Sequence, residues 1–108
     1  MLIYKICPAA EWTVAAQEYA GSAHDRADGF LHFSTGAQLD ETLQRYYAGA
    51  NDLLLIAVEE NTLGSALRWE YAPGRGEDFP HLYGPLPLAT VAWVRPLARR
   101  PDGSLAHD

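Results

Sequence analysis

The sequence predicts a single α+β domain with a mostly antiparallel or mixed sheet. Three observations lead there. Two early segments space their apolar residues as helices do. Five or six short segments read as strands. The late strands follow one another with no helix between them. At 108 residues the chain is too short for two ordinary domains and long enough for one modest core. A hydrophobic share of 48% with 11% aromatics excludes a disordered tail.

The elements follow in order. Residues 2–6 alternate, with Leu2, Tyr4 and Ile6 on one side and Ile3 and Lys5 on the other, which predicts a first strand. Pro8 suits the first turn of a helix. Trp12, Ala15, Ala16 and Tyr19 then stand at i, i+3, i+4 and i+7, and Gly21 ends the helix. Residues 22–29 are polar and read as a turn. Gly29 to Ser34 reads as a second strand, with Phe30, His32 and Ser34 on one face and Leu31 and Phe33 on the other. Thr35 with Gln38 fits a capping box that opens a second helix. Leu39, Leu43, Tyr46 and Tyr47 form its apolar face, and Gly49 closes it.

Leu53 to Val58 is a continuous apolar run and reads as a central strand covered on both faces. Residues 66–71 alternate again, with Leu67, Trp69 and Tyr71 opposed to Arg68 and Glu70. Residues 72–80 are full of breakers and read as a loop, with His81 to Gly84 a short strand or turn after it. Val91 to Val94 is the last strand. This places the domain at residues 1–98 and a frayed polar tail at 99–108.

Eight basic residues face 14 acidic ones, a net charge of −6, and Lys5 is the only lysine. An acidic surface repels nucleic-acid phosphate, so nucleic acid is not an expected partner. The first residues do not read as a signal peptide, and the longest apolar run is too short to span a bilayer, so a cytoplasmic protein without membrane contact is expected. The lone Cys7 has no disulfide partner and reads as a small, partly buried hydrophobe. Gly74-Arg75-Gly76 lacks the strand and helix of a phosphate-binding loop.

The candidates for chemistry are His32, Ser34, Glu70 and His81. His32 and Ser34 project from one strand face beside a helix N-terminus, where spare N–H groups hold an anion or hydroxyl. Glu70 stands in an otherwise apolar strand and serves as a base if it lines a cleft. Each has a plainer reading: His32 as a hydrogen-bonded core histidine, Ser34 as a helix cap, Glu70 paired with Arg68, His81 shaping a turn, Trp69 filling the core.

Four stretches carry a resemblance. They are Ile3 to Ile6 with Trp12, Asp28-Gly29-Phe30-Leu31-His32-Phe33-Ser34-Thr35 with Gln38, Leu67-Arg68-Trp69-Glu70, and Phe79-Pro80-His81-Leu82-Tyr83-Gly84 with Leu86-Pro87. In this order and spacing they resemble the small bacterial family catalogued as domain of unknown function 952, over nearly the whole chain.

The resemblance implies a fold similar to ADP-ribosyltransferases: a split, strongly bent mixed β-sheet clasping NAD, here with two N-terminal helices. In enzymes of that fold a His or Arg on an early strand binds the dinucleotide, and a Glu on a later strand contacts the nicotinamide ribose. Those roles fall on His32 and Glu70 as the catalytic pair, with His32, Ser34, Trp69, His81 and Tyr83 around the cofactor. The Leu53–Val58 run offers no polar group for the middle-strand role of such enzymes. Cleaving the nicotinamide–ribose bond builds oxocarbenium character, which a carboxylate stabilises.

The expectation is therefore NAD or a related nucleotide as substrate, with no metal, in a transferase or glycohydrolase. A non-catalytic nucleotide-binding module is the second reading. A metal-assisted hydrolase using His32, His81 and Glu70 is the third.

Overall fold

A computed structural model describes residues 1–12 and 17–106. Strand β1 (Leu2–Pro8) leads into a single helical turn, α1 (Ala9–Trp12), and β2 (Glu18–Tyr19) follows. Helix α2 (Ala23–Asp28) precedes two two-residue strands, β3 (Leu31–His32) and β4 (Ser34–Thr35). Helix α3 (Leu39–Tyr46), entered through a 3₁₀ turn, and the central strand β5 (Leu53–Glu59) come next. The rest is strand-rich: β6 (Leu67–Ala72), β7 (Glu77–Leu82), β8 (Leu86–Pro87), β9 (Val91–Pro96), β10 (Ala98–Arg99) and β11 (Leu105–Ala106). The α+β class is observed.

The strands form a four-stranded sheet in the order β4-β1-β5-β9 and a three-stranded sheet in the order β3-β7-β6, with two small pairs, β2-β8 and β10-β11. Every pairing described is antiparallel, so the sheet is not mixed. β1 and β5 pair along their whole length, from Leu2 opposite Glu59 to Pro8 opposite Leu53. Both are covered on both faces, as the apolar run of β5 predicts.

On one side of the four-stranded sheet, Ile3, Cys7, Ile56 and Val58 meet Tyr19, Leu31, Phe33, Leu82 and Leu86. On the other, Ile6, Leu53 and Leu55 meet Leu39 and Leu43 of α3 and Leu105.

Several elements differ from the sequence reading. Residues 22–29 are a helix rather than a turn. Ser22 accepts the Asp25 N–H while the Asp25 carboxylate accepts the Ser22 N–H, and Gly29 ends the helix in the left-handed region at φ 86°. The expected first helix is described only to Trp12; Ala15 and Ala16 lie outside the described residues, and Tyr19 belongs to β2. Tyr19 is pulled into the core, where its ring meets Trp12 at 5.0 Å. Among the described residues, three short α-helices therefore stand where two were expected.

The expected second strand is broken. β3 joins one sheet and β4 the other, with Phe33 alone between them, its N–H on the Pro80 carbonyl. The expected 72–80 loop is the turn of a hairpin, because β6 runs to Ala72 and β7 starts at Glu77. Finally, residues 98–106 fold as a hairpin instead of fraying, since Leu105 is buried against α3 and Arg99 donates to the Ala48 carbonyl.

Candidate functional site

The site is built on the face of the three-stranded sheet that carries His32, Phe79, His81 and Glu70. His32 stands opposite His81, and His81 opposite Arg68, so one row of the sheet holds all three on the same face. Glu70 lies two residues further along β6. Phe30 binds the row together: its ring stacks on His81 at 4.1 Å and meets His32 at 4.6 Å and Tyr83 at 5.3 Å.

Each histidine is held by a carboxylate at Nδ1. His32 Nδ1 lies 2.6 Å from Asp25 Oδ1, and His81 Nδ1 lies 2.8 Å from Glu70 Oε1. A carboxylate only accepts, so Nδ1 carries the proton in both contacts; His32 Nε2 meets a second carboxylate, Asp28 Oδ2, at 2.9 Å. The two rings are 5.7 Å apart, edge to face.

Asp25 is 1% exposed. It is anchored by Lys5 Nζ at 2.8 Å and accepts the backbone N–H groups of Ser22 and His32. Burial on its own raises the Asp25 carboxyl. The His32 hydrogen bond and the Lys5 charge outweigh it and hold Asp25 well below the usual carboxylate range. Gly21, at φ 109°, passes close by; a Cβ there would stand 2.9 Å from Asp25 Cβ. Glu70 is likewise held low, first by the Tyr83 hydroxyl at 2.7 Å and then by His81. The same contact raises the Tyr83 phenol.

Beside the row lies a groove of about 320 Å³, lined by His24, Asp28, His32, Ser34, Thr42, Arg75, Phe79 and His81, with Tyr46 and Tyr47 along α3. This is the small end of the size range of ligand pockets. Ser34 is buried at its floor, its hydroxyl 3.1 Å from that of Thr42. Arg75 donates to Thr42 at 3.0 Å, pairs with Glu41 at 2.8 Å and lies over the Phe79 ring. A larger cavity of about 500 Å³ runs along α3 to the C-terminal hairpin, lined by Asp40, Gln44, Arg99, Arg100 and Ser104. It holds none of the residues singled out from the sequence.

The structure thus brings His32, Ser34 and His81 to one groove. Glu70 sits behind His81 on the same sheet face and does not line the groove. Tyr83 reaches the row only through Glu70. Trp69 does not join them: alternation along β6 puts it on the opposite face, 41% exposed. Ser34 is not a helix cap, because Thr35 takes that role by accepting the Gln38 N–H.

The sequence reading missed Phe30, Asp25, His24, Asp28 and Arg75. The pattern Ser22-x-x-Asp25 ahead of Gly29 is the signal that finds the helix carrying three of them. Among the described residues, the three side chains placed to share a metal ion are His24, Asp28 and His32, whose ligand atoms lie within 4.8 Å of one another. The trio of His32, His81 and Glu70 is not gathered in this way.

The family model described as protein of unknown function (DUF952) matches residues 6–94. No curated protein matches the chain. Among solved structures, the crystal structure of protein CC0527 from Caulobacter crescentus superposes with a TM-score of 0.91 at 44% identity, covering 98% of this chain and 94% of that one. The solution structure of the same protein superposes with a TM-score of 0.83 at 45% identity, covering 95% and 90%. No helix among the described residues is long and apolar enough to cross a membrane.

Proposed function

Because this chain belongs to the DUF952 family, whose description assigns no activity, we propose a function from its site: the groove binds a nucleotide-type ligand related to NAD or ADP-ribose. One observation carries the reading. His32, fixed by the buried Asp25–Lys5 pair, and His81, fixed by Glu70, present two carboxylate-backed imidazoles 5.7 Å apart beside a groove with an arginine in its wall. Two oriented imidazoles suit proton transfer to and from a bound ligand, and Arg75, paired with Glu41 in the groove wall, is the arginine that lines the groove for a phosphate in a chain of net charge −6.

The split between two antiparallel sheets, crossed at Phe33 between His32 and Ser34, supports the kinship with ADP-ribosyltransferases on which the nucleotide is chosen. In this reading His32 and His81 are the groups that touch the ligand. Ser34 forms the floor. Glu70 is a positioning residue that acts through His81; at the pair of histidines the nicotinamide–ribose C–N bond of NAD breaks, nicotinamide leaves, and water adds to the ribose carbon and gives its proton to an imidazole.

The test is titration of the ¹⁵N-labelled protein with NAD, ADP-ribose and AMP in the presence of EDTA. Amides of residues 30–34 and 77–82 are expected to shift, and His32→Ala to abolish the shifts. Glu70→Gln is expected to keep binding while any release of nicotinamide from NAD is lost. Unmoved amides at millimolar ligand overturn the reading. Binding without product, in the wild type and Glu70→Gln alike, shows a binding module and removes only the catalytic half.

A further inference from the structure

The second nitrogen of His32 faces a different set of atoms. Asp28 Oδ2 lies 2.9 Å from His32 Nε2 and 3.8 Å from His24 Nε2. The His24 and His32 rings stack on each other, with centroids 4.5 Å apart and planes 25° from parallel. The arrangement is a product of the local fold. His24 and Asp28 are one turn apart on α2, so they share a helix face. Gly29 then turns the chain back so that the His32 N–H returns to Asp25. Residues at sequence spacings of four and four therefore converge at the rim of the groove.

Two donors held at about 2.1 Å from one ion, at the tetrahedral angle, are about 3.4 Å apart. The observed 2.9 and 3.8 Å bracket that value. Without an ion, His32 Nε2 donates a hydrogen bond to Asp28 Oδ2; a metal ion binding here replaces that proton and takes both atoms as ligands.

We propose that His24, Asp28 and His32 bind a divalent transition metal ion of the Zn²⁺ class. Two imidazoles and one carboxylate suit such ions better than Mg²⁺ or Ca²⁺, which take oxygen donors. Asp25 stands behind His32 as the carboxylate that orients a metal-bound histidine, and the buried Lys5 fixes Asp25 in turn. Three protein ligands leave a coordination position open toward the groove, where water or a phosphate oxygen of a ligand can enter. The site shares His32 with the nucleotide reading but does not rest on it.

The experiment titrates untagged full-length protein, free of nucleotide, with Co²⁺. It follows the visible ligand-field absorption and the paramagnetic shifts of the histidine ring protons, and Zn²⁺ displacement by calorimetry. One ion per chain is expected, with the ring protons of His24 and His32 shifted most. His24→Ala changes an exposed side chain and keeps the circular dichroism spectrum. It is expected to weaken binding by more than about tenfold, as is Asp28→Asn, since even outer-shell substitutions at metal sites cost about 10–100-fold.

No stoichiometric binding at sub-millimolar Co²⁺, or binding unchanged in His24→Ala, overturns the proposal. The nucleotide titration in EDTA is independent of this result. Loss of metal binding with retained nucleotide shifts refutes the metal site alone, and the reverse refutes the nucleotide reading alone.

Discussion

Lys5, the chain's only lysine, is 2% exposed and spends its charge on Asp25. A buried ion pair of this kind is a poor stabiliser relative to a well-packed apolar pair, yet removing one member leaves an uncompensated charge at a cost of about 3–5 kcal/mol. Lys5→Met is therefore expected to lose about that much stability in urea denaturation, and Asp25→Asn to lose stability at neutral pH. The pH dependence follows from the depressed Asp25 carboxyl. Its ordinary value is 3.8 and its folded value is lower. The folded state thus holds the ionised form more strongly than the unfolded chain does. The contribution is complete above the ordinary value and drains away as pH falls below it. The wild-type unfolding midpoint is expected to fall steeply on acidification from about pH 5 to 2, and Asp25→Asn to flatten that slope. An unchanged slope in the variant would show that other carboxylates control acid unfolding.

The helix α2 is the element on which the candidate chemistry depends, and it is the one the sequence concealed. Its six residues hold no leucine, isoleucine, valine, phenylalanine, tyrosine or tryptophan, so the 3.6-residue apolar period that marks α3 through Leu39 and Leu43 is missing. The helix is specified instead by its ends: the Ser22–Asp25 capping box and the left-handed Gly29. Ser22→Ala is expected to cost about 1 kcal/mol, as loss of a cap does. It is also expected to broaden the His32 ring signals, because the Asp25 that orients them is the capping-box partner. Gly21→Ala would show the same coupling from outside the helix. It forces a left-handed residue and a Cβ contact of 2.9 Å onto Asp25.

The strands were more legible. Alternation located β1 and β6, and a continuous apolar run located β5, where pattern and burial coincide. Of the site, His32, Ser34 and His81 were legible as polar groups on apolar strands. Trp69 was misplaced because spacing does not say which face of an edge strand meets the groove. Asp25 and Asp28 passed for turn residues, since Asp is common in both settings.

At the scale of the whole molecule, two apolar clusters lie on either side of the β1–β5 pair, and the C-terminal hairpin closes the second of them. Leu105 is the plug, packed with Leu39, Leu43, Leu53 and Leu55. Leu105→Ala is expected to cost about 2–3 kcal/mol, at the lower end for a buried leucine because it sits at the margin of the cluster. A thermal melt tests this, and an unchanged midpoint would show that the hairpin adds nothing to the fold. The acidic net charge has its counterpart in the placement of the basic groups. Lys5 is buried on Asp25, Arg75 is built into the groove wall, and Arg99 clamps the tail to the backbone at Ala48 and Ala50.

Phe33 is the single residue between β3 and β4, and its ring is buried in the cluster between the sheets. His32 on one side of it is hydrogen-bonded into the three-stranded sheet, and Ser34 on the other into the four-stranded sheet. A wall and the floor of the groove thus belong to separate sheets, and the shortest covalent link between those sheets, Phe33, is wedged by its own aromatic ring. Anything that grips His32 and Ser34 together works as a clamp across the molecule's main seam, so occupancy at the surface is felt as rigidity in the interior.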